Sequence, residues 1–336
     1  MKSTIMDSLV KSLGGLVTPE IAGKLAKFLG VDAGLVDKAM KILSALAVGS
    51  MARKVATPAG AAAAFQALPQ KEEPGLLSSL ASAFKGNIPD MTAADKMQSM
   101  FGGGVNSMVS ALSKKLGFDL TPLAGMIVPM VGQHFAKTAK EQGLDATGFA
   151  RMLQAGNDEF QKDPANAEVA GLVRLAMTVG DQAEAVRSRF TPEELEEIHI
   201  APMAAYCLVA KASPSGIKGS MDEMKAAHQV SVELLKDVAP ISLLGTVFGG
   251  GLTSHEAEEL KREVEAEDQL VETIRHGTAV MKTKAPAEVD TFRRLVNDVA
   301  RNVAEASKEG GFLGFGGKKV SDKEKAAMER VAAALV

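Results

Sequence analysis

KFLGVDAGLVDKAMKILSALAVGSMARKVAT, residues 27–57, decides the fold class. From Leu35 to Val55 its apolar residues recur at intervals of three and four, the spacing of a helix, with no alternating strand pattern. Gly30 can take the left-handed conformation that stops one helix, and Asp32 can cap the next. The same plan returns from Lys114 as KKLGFDLTPLAGMIVPMVGQHFAKTAKEQGLD. Leu25, Lys27, Leu29, Gly30 and Asp32 match Leu112, Lys114, Leu116, Gly117 and Asp119. After a one-residue gap, Gly60, Gln66 and Ala67 match Gly148, Gln154 and Ala155. Each copy reads as a short helix, a Leu-Gly-x-Asp turn, a long apolar helix, a polar turn and a shorter helix. Such related units pack against each other or against their equivalents in other chains.

The rest of the chain carries the same punctuation. Thr-Pro pairs at Thr18-Pro19, Thr57-Pro58, Thr121-Pro122 and Thr191-Pro192 read as helix starts, with Thr as cap and Pro in the first turn. Thr191 with Glu194, Thr253 with Glu256 and Ser321 with Glu324 have capping-box spacing. Aromatic residues make up only 4% of the chain, with no Trp and one Tyr, while helix formers abound, so an all-α fold is expected. The expected organisation is a first helical unit over 1–68, a connector over 69–107, a second related unit over 108–160 and an all-helical C-terminal domain over 161–336. The connector holds Pro69, Pro74 and Pro89 and an amphipathic piece, LLSSLASAF, at 76–84. FGGG, starting at Phe101 and again at Phe248, reads as a flexible break between helices.

Several function classes are disfavoured. A net charge of −3 gives no basic footprint for nucleic acid. The single Cys207 lies in an apolar helical run, APMAAYCLVAK, and reads as a buried thiol rather than a nucleophile. No secretion signal is evident, and no apolar stretch reaches the roughly 18 residues of a membrane span, so a cytoplasmic protein is expected.

GGFLGFGGKK, 310–319, suggests a phosphate cradle, but its glycines and lysines miss the P-loop and dinucleotide spacings, and a helical pattern precedes it where those motifs need a strand. Glu196 and His199 have the E-x-x-H spacing of di-iron bundles, which need a second such motif; Glu272 and His276 are four apart. His255 opens an acidic run whose fifth position is Glu259, not the second His of a zincin, so a solvated helix face is expected. Met40, Met51, Met126, Met130 and Met203 fall on apolar faces and read as packing residues.

LGVDAGLVDKAMKILSALAVGSMARKVATPAGAAAAFQAL, with its Leu-Gly turn, long apolar helix and helix start at Ala56–Ala61, resembles the YidB-like bacterial family of unknown function. The resemblance covers roughly residues 8–68 and, in the second copy, 108–156, and it implies no catalytic residues. PMAAYCLVAKASPSGIKGSMDEMKAA and RRLVNDVARNVAEASKEGGFLGFGGKKVSDKEKAAMERVAAAL resemble the TerB-like tellurite-resistance domain over roughly 165–336. That resemblance implies an all-helical domain in which a turn with Asp before Gly and a Glu on the next helix hold a divalent cation. Here the turns read Ser213-Pro214-Ser215-Gly216 and Lys308-Glu309-Gly310, without that Asp, and the corresponding glutamates are Glu223 and Glu324. A hard cation needs more clustered oxygens than these two supply. Metal binding is therefore expected to be lost, with Glu223 and Glu324 as the remaining candidate ligands.

The expectation is a non-enzymatic helical scaffold acting through homo-oligomeric self-assembly, without cofactor or identified small-molecule substrate. The tellurite-resistance resemblance adds a stress-linked or envelope-associated setting. The alternatives are a divalent-cation sensor of the TerB-like type, or a peripheral membrane protein that uses 76–84 or MDSLVKSLGGLV as an amphipathic anchor. Other proteins and a membrane surface are thus the further candidate partners.

Overall fold

A computed structural model describes residues 23–27, 30–69, 104–212, 227, 230, 233–249, 266–306 and 320–336, and all regular structure among them is helical. They fall into two compact units, the first ending at Glu184 and the second beginning at Ala185.

In the first unit α1, Ala33–Lys54, begins where Asp32 accepts a hydrogen bond from the Leu35 N–H at 2.9 Å. Every residue from Ile42 to Ala52 is buried, so α1 is not an amphipathic surface helix but the centre of the unit. The hydroxyl of Ser44 is satisfied inside that core by donating to the Met40 carbonyl at 2.7 Å. α2 is Pro58–Gln66, α3 Val105–Leu116, α4 Thr121–Glu141, α5 Ala146–Lys162 and α6 Ala167–Arg187. α1 packs on α4 and α5, α2 on α5, and α3 on α4. Lys38 pairs with Glu168 at 2.6 Å and Arg53 with Asp181, tying the exposed side of α1 to α6.

Two expectations need correction. The start of the C-terminal domain, expected at 161, lies after Glu184. Ala170, Val173 and Ala176 of α6 are buried in the first core, and Val173 and Met177 lie over Gly49 of α1. The Thr-Pro signal at Thr121 is also one residue out: Thr121 is already helical, Leu120 is the cap residue, and Asp119 accepts from the Thr121 N–H instead.

In the second unit α7, Pro192–Ala212, starts in a capping box, with the Glu194 N–H donating to Thr191 Oγ1 at 3.2 Å and the Thr191 N–H to Glu194 Oε2 at 2.8 Å. From Ala201 to Ala210 it is buried without interruption, Pro202 included. α8, Leu243–Phe248, α9, Glu267–Lys284, α10, Val289–Ala306, and α11, Asp322–Ala334, pack around it. α7 thus plays in this unit the part of α1 in the first.

The short α8 is held from both ends. Glu288 accepts from the Leu243 and Leu244 N–H groups at 3.0 and 2.9 Å, Ser242 accepts from Gly245, and Arg187 donates to the Thr246 carbonyl at 3.3 Å. Glu288→Ala leaves two helix N–H groups without their carboxylate and is expected to destabilise the second unit by about 1.5–3 kcal/mol. Tyr206 is the chain's only tyrosine, there is no tryptophan, and it is buried in this unit. A urea titration of its emission therefore reads this unit alone.

Candidate functional site

The pairing of the two copies is the feature with the most structure behind it. Equivalent turns adopt equivalent conformations: Gly30 and Gly117 have φ of 70° and 80°, the left-handed region that a side chain disfavours. At the next turn Thr57 Oγ1 accepts from the Gly60 N–H at 3.1 Å, and Asp145 Oδ1 accepts from the Gly148 N–H at 2.7 Å. Matched positions in the two copies thus do the same job with different side chains. Between them, Phe149 of α5 meets Phe65 of α2 edge-on, with ring centroids 5.8 Å apart, and Phe135 of α4 at 5.9 Å. Phe65 belongs to the first copy and the other two rings to the second, so this aromatic ladder joins copy to copy. Such edge-to-face pairs add to the burial of the rings themselves.

The connector mattered differently from expectation at its described end. Gly104, the last glycine of the first FGGG, is a contact point rather than a loose break: a Cβ there would lie 2.5 Å from the Gly180 carbonyl oxygen. Phe248, which opens the second FGGG, is buried in the core of its unit.

Of the candidate cation ligands Glu223 and Glu324, the second lies among the described residues. Glu324 is buried, and its carboxylate accepts from the Ser321 N–H at 2.7 Å in the capping box that starts α11. Glu223, both glycine-bearing turns at 213–219 and 307–319, and the acidic run from His255 to Glu265 lie outside the described residues, while Glu267 and Asp268, which end that run, open α9 and pair with Arg330. His199 stacks on Phe248 at 5.7 Å, while Glu196 is exposed. Glu197, not Glu196, meets a histidine: its carboxylate lies 3.7 Å from His276 Nδ1 of α9. Spacing within one segment could not show that pair, because it forms across two helices. Among the described residues no group of three or more His, Cys, Asp or Glu is placed to hold a metal ion. Cys207 is buried, as its apolar run implied.

Electrostatics at the start of α7 are settled by neighbours. Lys284 bonds Glu194 at 2.5 Å and, with the Thr191 N–H, holds that carboxyl below its ordinary range. The same ammonium stands 5.5 Å from the centre of the Phe190 ring. The contacts clasp the end of α9 to the start of α7.

Residues 11–134 match the family model of a bacterial protein of unknown function, DUF937. The DUF937 segment takes in the first copy and the connector and stops within α4, before α5 completes the second copy. It agrees in place with the bacterial family of unknown function expected for the first copy. The TerB-like likeness expected over the C-terminal part finds no support in the comparisons, and no curated protein and no solved structure matches the chain. No helix among the described residues is long and apolar enough to cross a membrane.

Proposed function

We propose that the chain is a non-enzymatic, all-helical cytoplasmic scaffold that works by homo-oligomeric self-assembly, with the duplicated N-terminal units as the associating parts. The observation that carries this reading is the packing of copy on copy, α1 against α4 and α5 and α2 against α5. A surface that joins the copies within one chain has the same chemistry when the copies come from two chains, which is the basis of exchange between protomers. Among the described residues the exposed large apolar side chains are Leu175, Ile241 and Val336. That scarcity favours exchange of buried faces over docking through a broad apolar patch.

The YidB-like likeness of the copies and the TerB-like, stress-linked setting of the C-terminal part belong to the same proposal and rest on the sequence patterns that suggested them. Neither alternative gains support among the described residues: Glu324 is engaged in a helix cap, and the amphipathic piece at 76–84 lies outside them.

Light scattering on the purified full-length protein tests the reading. The expected mass is a defined multiple of 35.1 kDa. Mixing tagged and untagged chains is expected to give mixed assemblies quickly only after partial unfolding, because exchange requires the copies to part. A 35.1 kDa particle at all concentrations would remove self-assembly as the function.

A further inference from the structure

One group in the first unit is out of keeping with its surroundings. His134 of α4 is half-buried, and its Nε2 is shut off from water without a hydrogen-bond partner among the described residues. In the first copy the corresponding position is Leu46 or Ala47, depending on which turn takes the one-residue gap, and both are buried apolar side chains. A neutral imidazole tolerates such a place, since the unpartnered nitrogen can be the one carrying only a lone pair. The imidazolium would put an N–H there with no acceptor for it among the described residues.

Among the described residues the charges that act on the ring sit on its own helix: Lys137 opposes protonation, and Glu141 favours it. The buried residues of α1, α3 and α5, which touch α4, include no titratable group; α5 offers Phe149, Ala150, Leu153, Gly156 and Phe160, with its charged side chains Arg151, Asp158 and Glu159 exposed. α1 offers the run Ile42–Ala52, and α3 offers Val105, Ser107, Met108, Val109 and Leu112. Burial, followed by Lys137, holds His134 below the ordinary histidine value.

We propose that His134 makes the first unit acid-labile, protonation of this one ring loosening α4 within the paired copies. The inference is independent of whether the copies pair within one chain or between chains. Its sign follows from linkage. Above about pH 6.5 the ring is neutral in both folded and unfolded chains and has no effect on the balance. As the pH falls through that value the unfolded chain takes up the proton first, so unfolding gains. The loss levels off only once the folded ring is protonated too.

The test is urea unfolding of full-length wild type, His134→Leu and His134→Gln between about pH 7.5 and 5. Far-UV circular dichroism follows both units, and Tyr206 emission identifies the transition of the second. The wild-type unfolding constant of the first unit is expected to rise relative to both variants, by up to about tenfold per pH unit inside the window. In a proton NMR titration the His134 signal, assigned by its loss in His134→Gln, is expected to have a midpoint below about 6.5. Parallel pH profiles for wild type and variants, or a midpoint at or above the free-histidine value, would overturn the proposal.

Discussion

Phe149→Ala is expected to destabilise the first unit by about 3–5 kcal/mol, the range for removing a large ring from a core that only partly collapses. The position warrants the upper part of that range. Phe149 is fully buried, and it is the middle ring of the ladder, in edge contact with both Phe65 and Phe135. Its removal takes away two aromatic pairs as well as apolar area. α2 is held to the second copy through α5, and Phe65 stands on α2, so the loss falls on the seam between copies. Phe149→Leu keeps much of the volume and is expected to cost clearly less, since shape changes are tolerated better than voids. The measurement is urea unfolding followed by circular dichroism, with Tyr206 emission as the internal control for the second unit. The first transition should move to lower urea and the tyrosine transition should stay in place. Equal movement of both would mean that the two units do not unfold separately, and no movement would mean that the ladder does not hold the copies together.

The central helices were the most legible part of the sequence. ILSALAVGSMA in α1 and APMAAYCLVA in α7 are apolar on every side, and a helix of that kind has to be surrounded. Each is the middle of its unit. The turns of the duplication were legible too, because Gly30 and Gly117 mark positive φ and Asp32 and Thr57 mark helix starts by their chemistry. Less visible was the affiliation of α6. Its sequence fits either half, and only the burial of Ala170, Val173 and Ala176 in the first core assigns it.

The polar contacts that organise the second unit were beyond the sequence for a different reason. Glu288 caps a helix more than forty residues before it, and Glu197 meets His276 across two helices. Neither pairing leaves a mark in local spacing. Conversely, Glu324 had an oxygen-donor reading from resemblance and a capping reading from Ser321 three residues before it. The capping bonds are both made, Ser321 N–H to the Glu324 carboxylate and Glu324 N–H to Ser321 Oγ.

Glycines separate into two kinds, and substitution by alanine should tell them apart by sign. At Gly277 of α9 a Cβ would lie 2.5 Å from the Glu197 carbonyl oxygen and 3.1 Å from the Ala201 Cβ. Both belong to α7, just ahead of the buried Pro202, so neither neighbour is a flexible side-chain tip that can swing aside. Gly277→Ala must therefore push α9 away from the central helix, along a face where Ala201, Ala204 and Ala205 are all buried. A cost of about 1–3 kcal/mol is expected from overpacking, exceeding the roughly 1 kcal/mol that alanine gains over glycine in a helix interior. Gly277→Val should cost more. Gly171 of α6 is the comparison: a Cβ there meets nothing within 4 Å. Gly171→Ala is accordingly expected to stabilise the first unit by about 0.5–1 kcal/mol. Tyr206 emission reads the first substitution and circular dichroism the second. Stabilisation by Gly277→Ala would show that α7 and α9 do not approach closely enough to need the glycine, and the packing derived for the second core would then be wrong at its principal crossing.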